Sequence, residues 1–481
     1  MSGSARTAIC LLRCDLRAHD NQVLHWAQSN ADFVVPLYCF DPRHYLRTHW
    51  YGFPKTGPHR LRFLLESVKD LRETLKKKGS TLVVRKGKPE DVVRDLITQL
   101  GSVSAVVFHE EATQEELDVE KELCQVCSQH GVKVHTFWAS TLYHRDDLPF
   151  RPIARLPDVY THFRKAVESE AKVRSTLRMV DQLQPLAPGV EEGCIPTMED
   201  LGQKDPDTDP RTAFLGSGGE TQALMRLQYY FWDTNLVASY KEIRNGLVGM
   251  DYSTKFAPWL ALGCISPRYI YEQIKKYEKE RTANQSTYWV LFELLWRDYF
   301  RFVALKYGRR ICSLRGLQSK EVPWKKDLQL FDCWKEGKTG VPFVDANMRE
   351  LAATGFMSNR GRQNVASFLT KDLGLDWRMG AEWFEYLLGD YVRLWVPELQ
   401  GIKGADIHTP WALSSAALSQ AGVTLGETYP QPIVTAAEWS RHISQRPGRS
   451  PHPRGRRGPA HSPVQHKVRG IDFYFSRKKD A

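Results

Sequence analysis

The chain has 481 residues, 42% of them hydrophobic and 26% charged, which is enough material for two or three domains with a sizeable core. It contains no run of eighteen apolar residues, so we expect no membrane-spanning helix, and its first residues do not resemble a secretory signal. Nine scattered cysteines indicate reduced thiols rather than a disulfide framework. These features predict a cytoplasmic or nuclear protein with no evident organelle targeting.

The formal charge of +11 is concentrated near the C-terminal end. From Arg441 onward there are eleven Lys/Arg and two Asp, so this segment carries +9 and the preceding 440 residues carry only +2. A nucleic-acid site on the body of the protein must therefore depend on local arginine placement rather than on net charge.

The first third of the chain predicts an α/β domain, here bounded at residues 1–180. Strand-like runs occupy residues 7–13, 33–40, 81–87, 104–110 and 133–138, with amphipathic helical patterns between them, which indicates a doubly wound parallel sheet. Neither common glycine-rich phosphate loop follows the first strand. The polar residues found there instead form either a loop with a helix cap near Asp20 or part of a ligand site. A C-x-x-C at Cys124 and Cys127 has no second pair at zinc spacing, so we predict no metal site.

The remainder divides into three parts by composition. Residues 181–215 are rich in Pro, Asp and Gly and indicate an interdomain linker. Residues 216–440 predict an all-α domain, with at least seven helices before about residue 425. Residues 441–481 are low-complexity and basic, which predicts a disordered tail.

Three stretches of the helical part carry chemistry. In STYWVLFELLWRDYFRFVAL, Glu293, Trp296 and Arg297 share one face; they form either an ordinary surface pair beside an aromatic or a site for a flat ring. In DYSTKFAPW, hydroxyls and a lysine before a helix suit either a diphosphate or simple capping. In NRGRQNVASFL, one helical side carries Asn359, Arg362, Gln363 and Ala366, and its polar groups require a partner if that side is buried.

Several motifs together resemble the DNA photolyase/cryptochrome family over nearly the whole chain: LLRCDLRAHDN, DYSTKFAPWLALGCISPR, ELLWRDYFRF, GKTGVPFVDANMREL, NRGRQNVASFLTKDLGLDWR, LWVPELQGIKGADIHTPW and RGIDFYFS. The resemblance implies an N-terminal domain with an antenna chromophore and a helical domain enclosing FAD. It also implies repair of cyclobutane pyrimidine dimers by electron donation from photoexcited reduced flavin, and similarity to a branch that prefers single-stranded DNA. Such a protein acts as a deoxyribodipyrimidine photo-lyase, and we expect a monomer.

Carried over position by position, the resemblance assigns residues to FAD, to the lesion and to electron transfer. The positions that match FAD contacts are Tyr240, Ser253, Thr254, Lys255, Phe256, Ala257, Arg297, Asn359 and Arg362, with Ala257 replacing a usual serine. Those that match contacts to the dimer or to DNA are Glu293, Trp296, Gln363, Arg297 and Arg360. Trp324 and Trp377 match the outer and middle tryptophans of the chain that photoreduces flavin, although each alone is more typical of packing. Glu110 resembles a position that binds the antenna methenyltetrahydrofolate, and Cys14 stands where the branch commonly has asparagine.

The resemblance is interrupted after Leu388. Relatives carry several dozen more residues between Leu388 and Gly389, including an aspartate that pairs with the counterpart of Arg362 and the innermost tryptophan of the electron chain. Removing the carboxylate that pairs with a buried arginine lowers the free energy of unfolding by on the order of 3 to 5 kcal/mol. We therefore expect weak FAD binding and poor photoreduction, or a chain that folds only in part.

Two other functions stay open at this stage. One is a blue-light photoreceptor or transcription-associated DNA-binding protein without repair activity, since flavin contacts serve both roles. The other lies in the tail, whose Arg/Gly/Pro run suits polyanions and whose Ile471, Tyr474 and Phe475 resemble a clamp-binding peptide with Val468 in place of the usual glutamine.

Overall fold

The N-terminal domain is built on a parallel sheet of five strands. In the computed structural model, which describes residues 5–214, 216–386, 396–400, 402 and 407–434, the strand order is β3-β2-β1-β4-β5 and every neighbouring pair is parallel. The strands are β1 (Thr7–Leu12), β2 (Phe33–Phe40), β3 (Val83–Lys86), β4 (Val103–His109) and β5 (Lys133–Phe137). The predicted doubly wound α/β domain is therefore confirmed.

Helices cover both faces of this sheet: α1 (Gln22–Asn30), α2 (Pro58–Lys76), α3 (Pro89–Leu100) and α4 (Gln114–Gln129), followed by α5 (Tyr160–Glu170). Alternate residues of β1 enter two separate cores, as the period of a strand requires. Ile9 and Leu11 pack with α3 and α4, whereas Ala8 and Cys10 belong to a larger core that also includes α1, α2, α5 and parts of the helical domain.

The predicted linker packs against the sheet over its first residues. The amide of Val34 in β2 donates to Pro185 O at 3.0 Å, and the amide of Ala187 donates to Val34 O at 3.1 Å. The amide of Val84 in β3 donates to Glu192 O at 2.8 Å. Pro185, Pro188 and Gly189 disfavour regular structure without preventing backbone pairing, so this stretch is anchored to the N-terminal domain.

The second part of the chain is helical, as predicted. Its helices are α6 (Glu220–Gln228), α7 (Tyr240–Ile243), α8 (Ala257–Ala261), α9 (Pro267–Glu280), α10 (Gln285–Tyr307), α11 (Leu328–Lys335), α12 (Pro342–Thr354), α13 (Asn359–Ser367), α14 (Trp377–Tyr386) and α15 (Ser415–Gln420). The long α10 begins with a capping box, in which the Asn284 side chain accepts from the Thr287 amide at 3.0 Å and the Thr287 hydroxyl accepts from the Asn284 amide at 3.2 Å. None of the described helices is long and apolar enough to cross a membrane.

The loop after β1 joins the two domains. Asn21 caps α1 by accepting from the amides of Val23 and Leu24 at 3.0 and 3.2 Å, so the predicted helix cap is present one residue after Asp20. Asp20 itself accepts from the guanidinium of Arg268 on α9 at 2.6 and 3.0 Å. The loop therefore serves both as a cap and as an interdomain contact.

Asp298 on α10 makes a second interdomain contact, because its carboxylate accepts from the amides of Leu142 and Tyr143, both at 2.9 Å. Burial raises the pKa of Asp298 from 3.8 to about 7. Between those two values the folded chain holds this proton more tightly than the unfolded chain, so the carboxyl's contribution to the free energy of unfolding falls as pH rises.

We expect the natural chain to lose stability relative to an Asp298→Asn variant as the pH rises from about 4 to about 7, because the variant cannot titrate at this position. Urea denaturation across this window measures it. Asp181→Asn, at a side chain that is 80% exposed, serves as the control for the same chemical change at the surface. A pH-independent difference for Asp298→Asn would contradict the prediction.

Candidate functional site

A cavity of about 690 Å³ lies between the two domains, within the range of about 300 to 1,000 Å³ that is usual for ligand pockets. Its walls come from α2, residues 207–217, α8, the α12–α13 connection and the end of α14. The aromatic part of the lining consists of Phe63, Phe214, Phe356, Phe384 and Tyr386, and the cationic part of Arg60, Arg62 and Arg362. Aromatic walls and guanidinium groups together suit a ligand that combines a flat ring with phosphate.

The segment predicted to bind FAD phosphate lies against this cavity. Ala257 lines it directly, and Lys255 is buried with a left-handed backbone at φ 61°. The ammonium of Lys255 lies 3.3 Å from the ring centroid of Tyr252 and 4.5 Å from that of the cavity-lining Phe356. Thr254 and Phe256 are also buried, whereas Ala257 is exposed. A cation held between two rings at the cavity wall is well placed for an anionic group.

Tyr240 and Ser253, which the resemblance also assigned to FAD, share a hydrogen bond. Tyr240 is buried, and burial together with the nearby Glu293 raises the pKa of its hydroxyl well above its usual value. The hydroxyl therefore stays neutral. The structure thus brings α7 and the predicted phosphate segment together, and Tyr240 lies near the carboxylate of α10.

Arg226 on α6 holds the phosphate segment in place, and sequence patterns did not identify it. Its guanidinium donates to the carbonyls of Met250, Ser253 and Thr254 at 2.9, 3.0 and 3.2 Å, and it pairs with Asp251 at 3.1 Å. Only a planar group with several donors can reach all of these acceptors at once. Helical periodicity gives no signal for such a contact, because the partners are 24 to 28 residues away.

We expect Arg226→Lys to lower FAD affinity about tenfold, because one ammonium cannot replace the several carbonyl bonds and the segment loses its fixed shape. Titration of the apoprotein with FAD, followed by flavin fluorescence, measures this. Arg178→Lys, at a side chain that is 85% exposed, is the matched control and should bind FAD as the natural chain does. Equal affinity for the two variants would show that Arg226 does not position the segment.

The three residues of α10 that were expected to project together contact different groups. Glu293 pairs with Arg244 at 2.6 Å, and burial raises the pKa of its carboxyl while Arg244 opposes that shift. Trp296 stacks on Tyr160 of α5, with ring centroids 3.5 Å apart and planes 10° apart. Among the described contacts, Arg297 does not pair with Glu293.

Arg297 points toward the domain interface instead. Its guanidinium donates to the carbonyl of Leu260 at 3.1 Å and to that of Ser140. Burial lowers its pKa to about 9, and the neighbouring Arg301 contributes in the same direction. Carbonyl acceptors from two distant segments thus engage two of its donors, and its assignment to flavin and DNA stays a prediction.

The polar residues at the start of α13 lie near those of α10. Arg360 donates to Gln363 Oε1 at 3.2 Å and to Asn245 Oδ1 at 3.1 Å, and Asn245 directly follows the Arg244 that pairs with Glu293. Asn359 and Gln363 are exposed. The side chains Glu293, Arg244, Asn245, Arg360 and Gln363, which we call the polar row, thus connect α10 to α13.

Arg362 of α13 lines the cavity. It has a further interaction in the folded chain, so it is not without a partner. The cost expected from the missing carboxylate stays a prediction. The interruption after Leu388 lies outside the described residues, as does the basic tail.

The two tryptophans assigned to electron transfer lie on paired backbone segments. The amide of Lys325 donates to Gly374 O at 2.9 Å and the amide of Asp376 donates to Lys325 O at 3.0 Å, so Trp324 and Trp377 flank this pairing. Both are half-buried. Trp377 is the first residue of α14, and the end of that helix reaches the cavity.

Of the two residues in the N-terminal domain that the resemblance singled out, Glu110 and Cys14, only Cys14 lines the cavity. Glu110 pairs with Arg145 and accepts from the Thr136 hydroxyl at 2.6 Å, and it does not line the cavity. Cys14 does line the cavity, and burial raises the pKa of its thiol. In the described part of the chain no cluster of His, Cys, Asp or Glu could hold a metal ion, and Cys124 and Cys127 lie on α4, one exposed and one buried.

Family profiles match parts of both domains of the chain. The family profile described as DNA photolyase matches residues 8–185, and that described as FAD binding domain of DNA photolyase matches residues 289–391 and 387–448. Cryptochrome DASH of Xenopus laevis is 68% identical over 99% of both chains, and that of Danio rerio is 64% identical over 99% of both.

Solved structures give the same answer for the fold. A Synechocystis cryptochrome has a TM-score of 0.87 at 44% identity, covering 92% of this chain and 99% of its own. A class III photolyase from Agrobacterium tumefaciens has a TM-score of 0.75 at 26% identity, covering 92% and 97%. The chain therefore belongs to the DNA photolyase/cryptochrome family. Within it the chain is a cryptochrome DASH, and the helical domain is an FAD-binding domain.

Proposed function

We propose that this photolyase-like flavoprotein repairs cyclobutane pyrimidine dimers in single-stranded DNA by using an electron from reduced FAD. The observation that carries the proposal is the polar row, which places an acid, two guanidinium groups and two amides between α10 and α13. The cavity is lined by Ala257 of the phosphate segment and Arg362 of α13. A lesion at the polar row would thus lie near a ligand in the cavity.

The residues around the cavity fit FAD. Lys255 and the arginines of the lining supply positive charge for the diphosphate, and the aromatic wall suits a flat ring. We assign Tyr240, Ser253, Thr254, Phe256, Ala257, Asn359 and Arg362 to the same ligand. When bound, FAD supplies a light-absorbing ring that can transfer one electron. The direct contact between Arg297 and flavin is not part of the proposal, because its donors face carbonyls.

In the proposed reaction the chain's own groups hold the lesion. Burial raises the pKa of the Glu293 carboxyl, and a carboxyl that takes up a proton can donate a hydrogen bond to a pyrimidine carbonyl. Gln363 is exposed and can read a base edge, and Arg360 can bind a phosphate. A lesion in a single strand is already unpaired, so the few kcal/mol needed to flip a base from a duplex are not required.

Two further parts of the proposal concern light and electrons. We assign the antenna site for methenyltetrahydrofolate to the region of Glu110, where Thr136 and Arg145 supply polar contacts. We assign Trp324 and Trp377 to a relay that delivers electrons toward the cavity, and their anchored, adjacent backbones support this.

We also propose that this form holds FAD weakly, because it lacks a segment after Leu388. The match to the FAD-binding profile is divided into two pieces that meet at residues 387–391. The alignment with the Xenopus laevis relative runs over 518 positions, more than the 481 residues of this chain, so the relative contributes residues that have no counterpart here. Both observations support a deletion at the edge of the cavity.

The stacking of Trp296 on Tyr160 favours a second candidate function, a blue-light photoreceptor or transcription-associated DNA-binding protein without repair activity. One face of this indole is already covered, which reduces the surface available to a lesion. For either function we propose a monomer in the cytoplasm or nucleus, with the basic tail as a contact for a polyanion or protein partner.

Illumination of the FAD-loaded chain with a dimer-bearing single-stranded oligonucleotide separates the two functions. Under repair, blue light restores the pyrimidines, and Glu293→Ala slows that restoration about a hundredfold because the hydrogen-bonding group that faces the pyrimidine carbonyl is lost. Normal flavin photochemistry and oligonucleotide binding without any restoration would refute repair and support the photoreceptor. Arg178→Gln is the control and should repair as the natural chain does.

A further inference from the structure

Phe300 on α10 is a large aromatic side chain that stays 54% exposed in the folded chain. A single exposed apolar residue is common on protein surfaces and needs no function. Phe300 differs because other rings hold it: it stacks on Trp296, with ring centroids 5.5 Å apart and planes 29° apart, and lies 6.0 Å from the ring of Tyr299. Trp296 in turn stacks on Tyr160. This series of rings therefore ends in a phenyl group that is both fixed and open to solvent.

Phe300 lies on the same side of α10 as Glu293 of the polar row, because residues seven apart in a helix are separated by almost two full turns. The helical rise puts the two positions about 10 Å apart along the axis. Stacked nucleotides of one strand are spaced by about 3.4 Å. A strand whose lesion meets Glu293 therefore reaches Phe300 within about three nucleotides.

Positive charge follows Phe300 at the end of α10. Residues 153–155 pack against this helix. Arg155 in that segment and Arg310 just after α10 are both exposed, and neither forms an ion pair within 4.0 Å among the residues that the structure describes. Their guanidinium groups are therefore available to an external anion such as a phosphate.

The exposed carboxylates bonded to this end of α10 already have cations as partners. Asp158 accepts from the ammonium of Lys306 at 2.6 Å and from the hydroxyl of Tyr307 at 2.5 Å. Asp118 pairs with the guanidinium of Arg309 at 2.7 Å. The two available guanidinium groups therefore give the surface beyond Phe300 an excess of positive charge.

We propose that Phe300 stacks on a nucleobase beside the lesion, and that Arg155 and Arg310 bind phosphates beyond that base. The inference rests on the proposed function and adds to it a strand path along α10, from the polar row past Phe300. A ring followed by guanidinium groups fits a single strand, because every base has a face that stacks and every linkage carries a charge. In a duplex the same base is already stacked and paired, so this contact favours an unpaired strand.

The size of the apolar surface favours a nucleic acid over a protein partner. Among the described residues of α10, Phe300 is the only large apolar side chain that is exposed. A protein interface usually has a wider apolar core, whereas a base needs a single ring to stack on.

Binding in the dark tests the stacking contact without electron transfer. The full chain, supplied with excess FAD, is titrated with single-stranded oligonucleotides that carry the lesion and one abasic nucleotide, placed in turn at each of four positions on either side. Fluorescence anisotropy measures affinity. We expect the abasic nucleotide to lower the affinity of the natural chain about tenfold at one position within about three nucleotides of the lesion. Phe300→Leu should already bind the intact strand about tenfold more weakly and should not respond further, because the base has lost its ring.

Two variants control for the change of side chain. Phe300→Tyr keeps the ring and should respond to the abasic nucleotide as the natural chain does. Trp50→Leu is the matched control, because Trp50 is an exposed aromatic that lies over Arg378 of α14 rather than on α10. It should also respond as the natural chain does. An equal response of the natural chain and Phe300→Leu to the abasic nucleotide would overturn the proposal.

Salt dependence tests the phosphate contacts. Each phosphate contact with a single strand contributes about 0.7 to the slope of log affinity against log salt concentration, so Arg155→Gln with Arg310→Gln should reduce that slope by about 1.4. Arg178→Gln, at a side chain that is 85% exposed, is the control and should leave the slope unchanged. An unchanged slope in the double variant would refute the path beyond Phe300.

Illumination of the same complexes separates this inference from the proposed function. Phe300→Leu should raise KM for repair about tenfold and leave kcat unchanged, because Phe300 contacts a neighbouring base and not the lesion. No repair by the natural chain, with the dark response to the abasic nucleotide intact, would refute repair while the stacking contact stands. Normal repair without that dark response would overturn the stacking contact alone, and failure of the natural chain to bind the oligonucleotide would overturn both.

Discussion

A chain that carries the corresponding segment of the Xenopus laevis relative between Leu388 and Gly389 is expected to retain stoichiometric FAD through gel filtration, whereas the present chain loses most of it. Under the proposed function, the added residues would close the cavity, whose lining includes the end of α14, and by family resemblance would supply a carboxylate for Arg362. A charge-assisted contact and its surrounding wall contribute about 3 kcal/mol, which corresponds to roughly 100-fold in affinity. The visible spectrum and an FAD titration measure both quantities.

The matched control inserts a Gly/Ser segment of equal length at the same place. It restores the spacing of the chain but not the wall or the carboxylate, so FAD affinity should stay close to that of the present chain. Stoichiometric flavin in the present chain, with normal bleaching under blue light in buffer without reductant, would show that the segment is dispensable.

The N-terminal fold was predictable because its signals are local. Each of the five strands is a short apolar run, and the helices between them carry an amphipathic period, so neither needs knowledge of a distant partner. The cap at Asn21 followed from residue type alone. The pairing of residues 185–192 with β2 and β3 was not predictable, because that contact depends on backbone groups whose side chains carry no strand signal.

The site shows the same division between local and distant information. Helical spacing placed Glu293, Trp296 and Arg297 on neighbouring positions, and motif resemblance named their roles. Spacing could not reveal that Arg297 bonds to carbonyls 37 and 157 residues away, or that Tyr160 covers one face of Trp296. The contacts of Arg226 could not be predicted either, because its acceptors are loop carbonyls and the sequence pattern of α6 carries no signal for them.

The interdomain pair between Asp20 and Arg268 gives the largest expected effect on stability. Their side chains are 1% and 6% exposed, and the guanidinium donates to both carboxylate oxygens. Asp20 also accepts from the Ser266 hydroxyl and the Leu177 amide, so several segments converge on one charge. Asp20 has a left-handed backbone at φ 47°, a conformation that aspartate tolerates better than most residues.

We expect Arg268→Met to lower the free energy of unfolding by about 3 to 5 kcal/mol, because it leaves the carboxylate of Asp20 buried without its counter-charge. Urea denaturation measures the change. Adding Asp20→Asn should recover part of the loss, since a neutral amide keeps some hydrogen bonds and needs no cation. Arg178→Met removes an exposed pair with Asp181 and should cost less than about 1 kcal/mol.

The same variant links stability to the ligand. The loop that contains Asp20 also contains Cys14, which lines the cavity, and Arg17 on this loop donates to Gly263 O at 2.8 Å just beyond α8. Arg268→Met loosens this loop, so the Arg268→Met variant should bind FAD more weakly than the Arg178→Met variant. If Arg268→Met unfolds at the same urea concentration as Arg178→Met, the buried pair is not what holds the two domains together at this edge of the cavity.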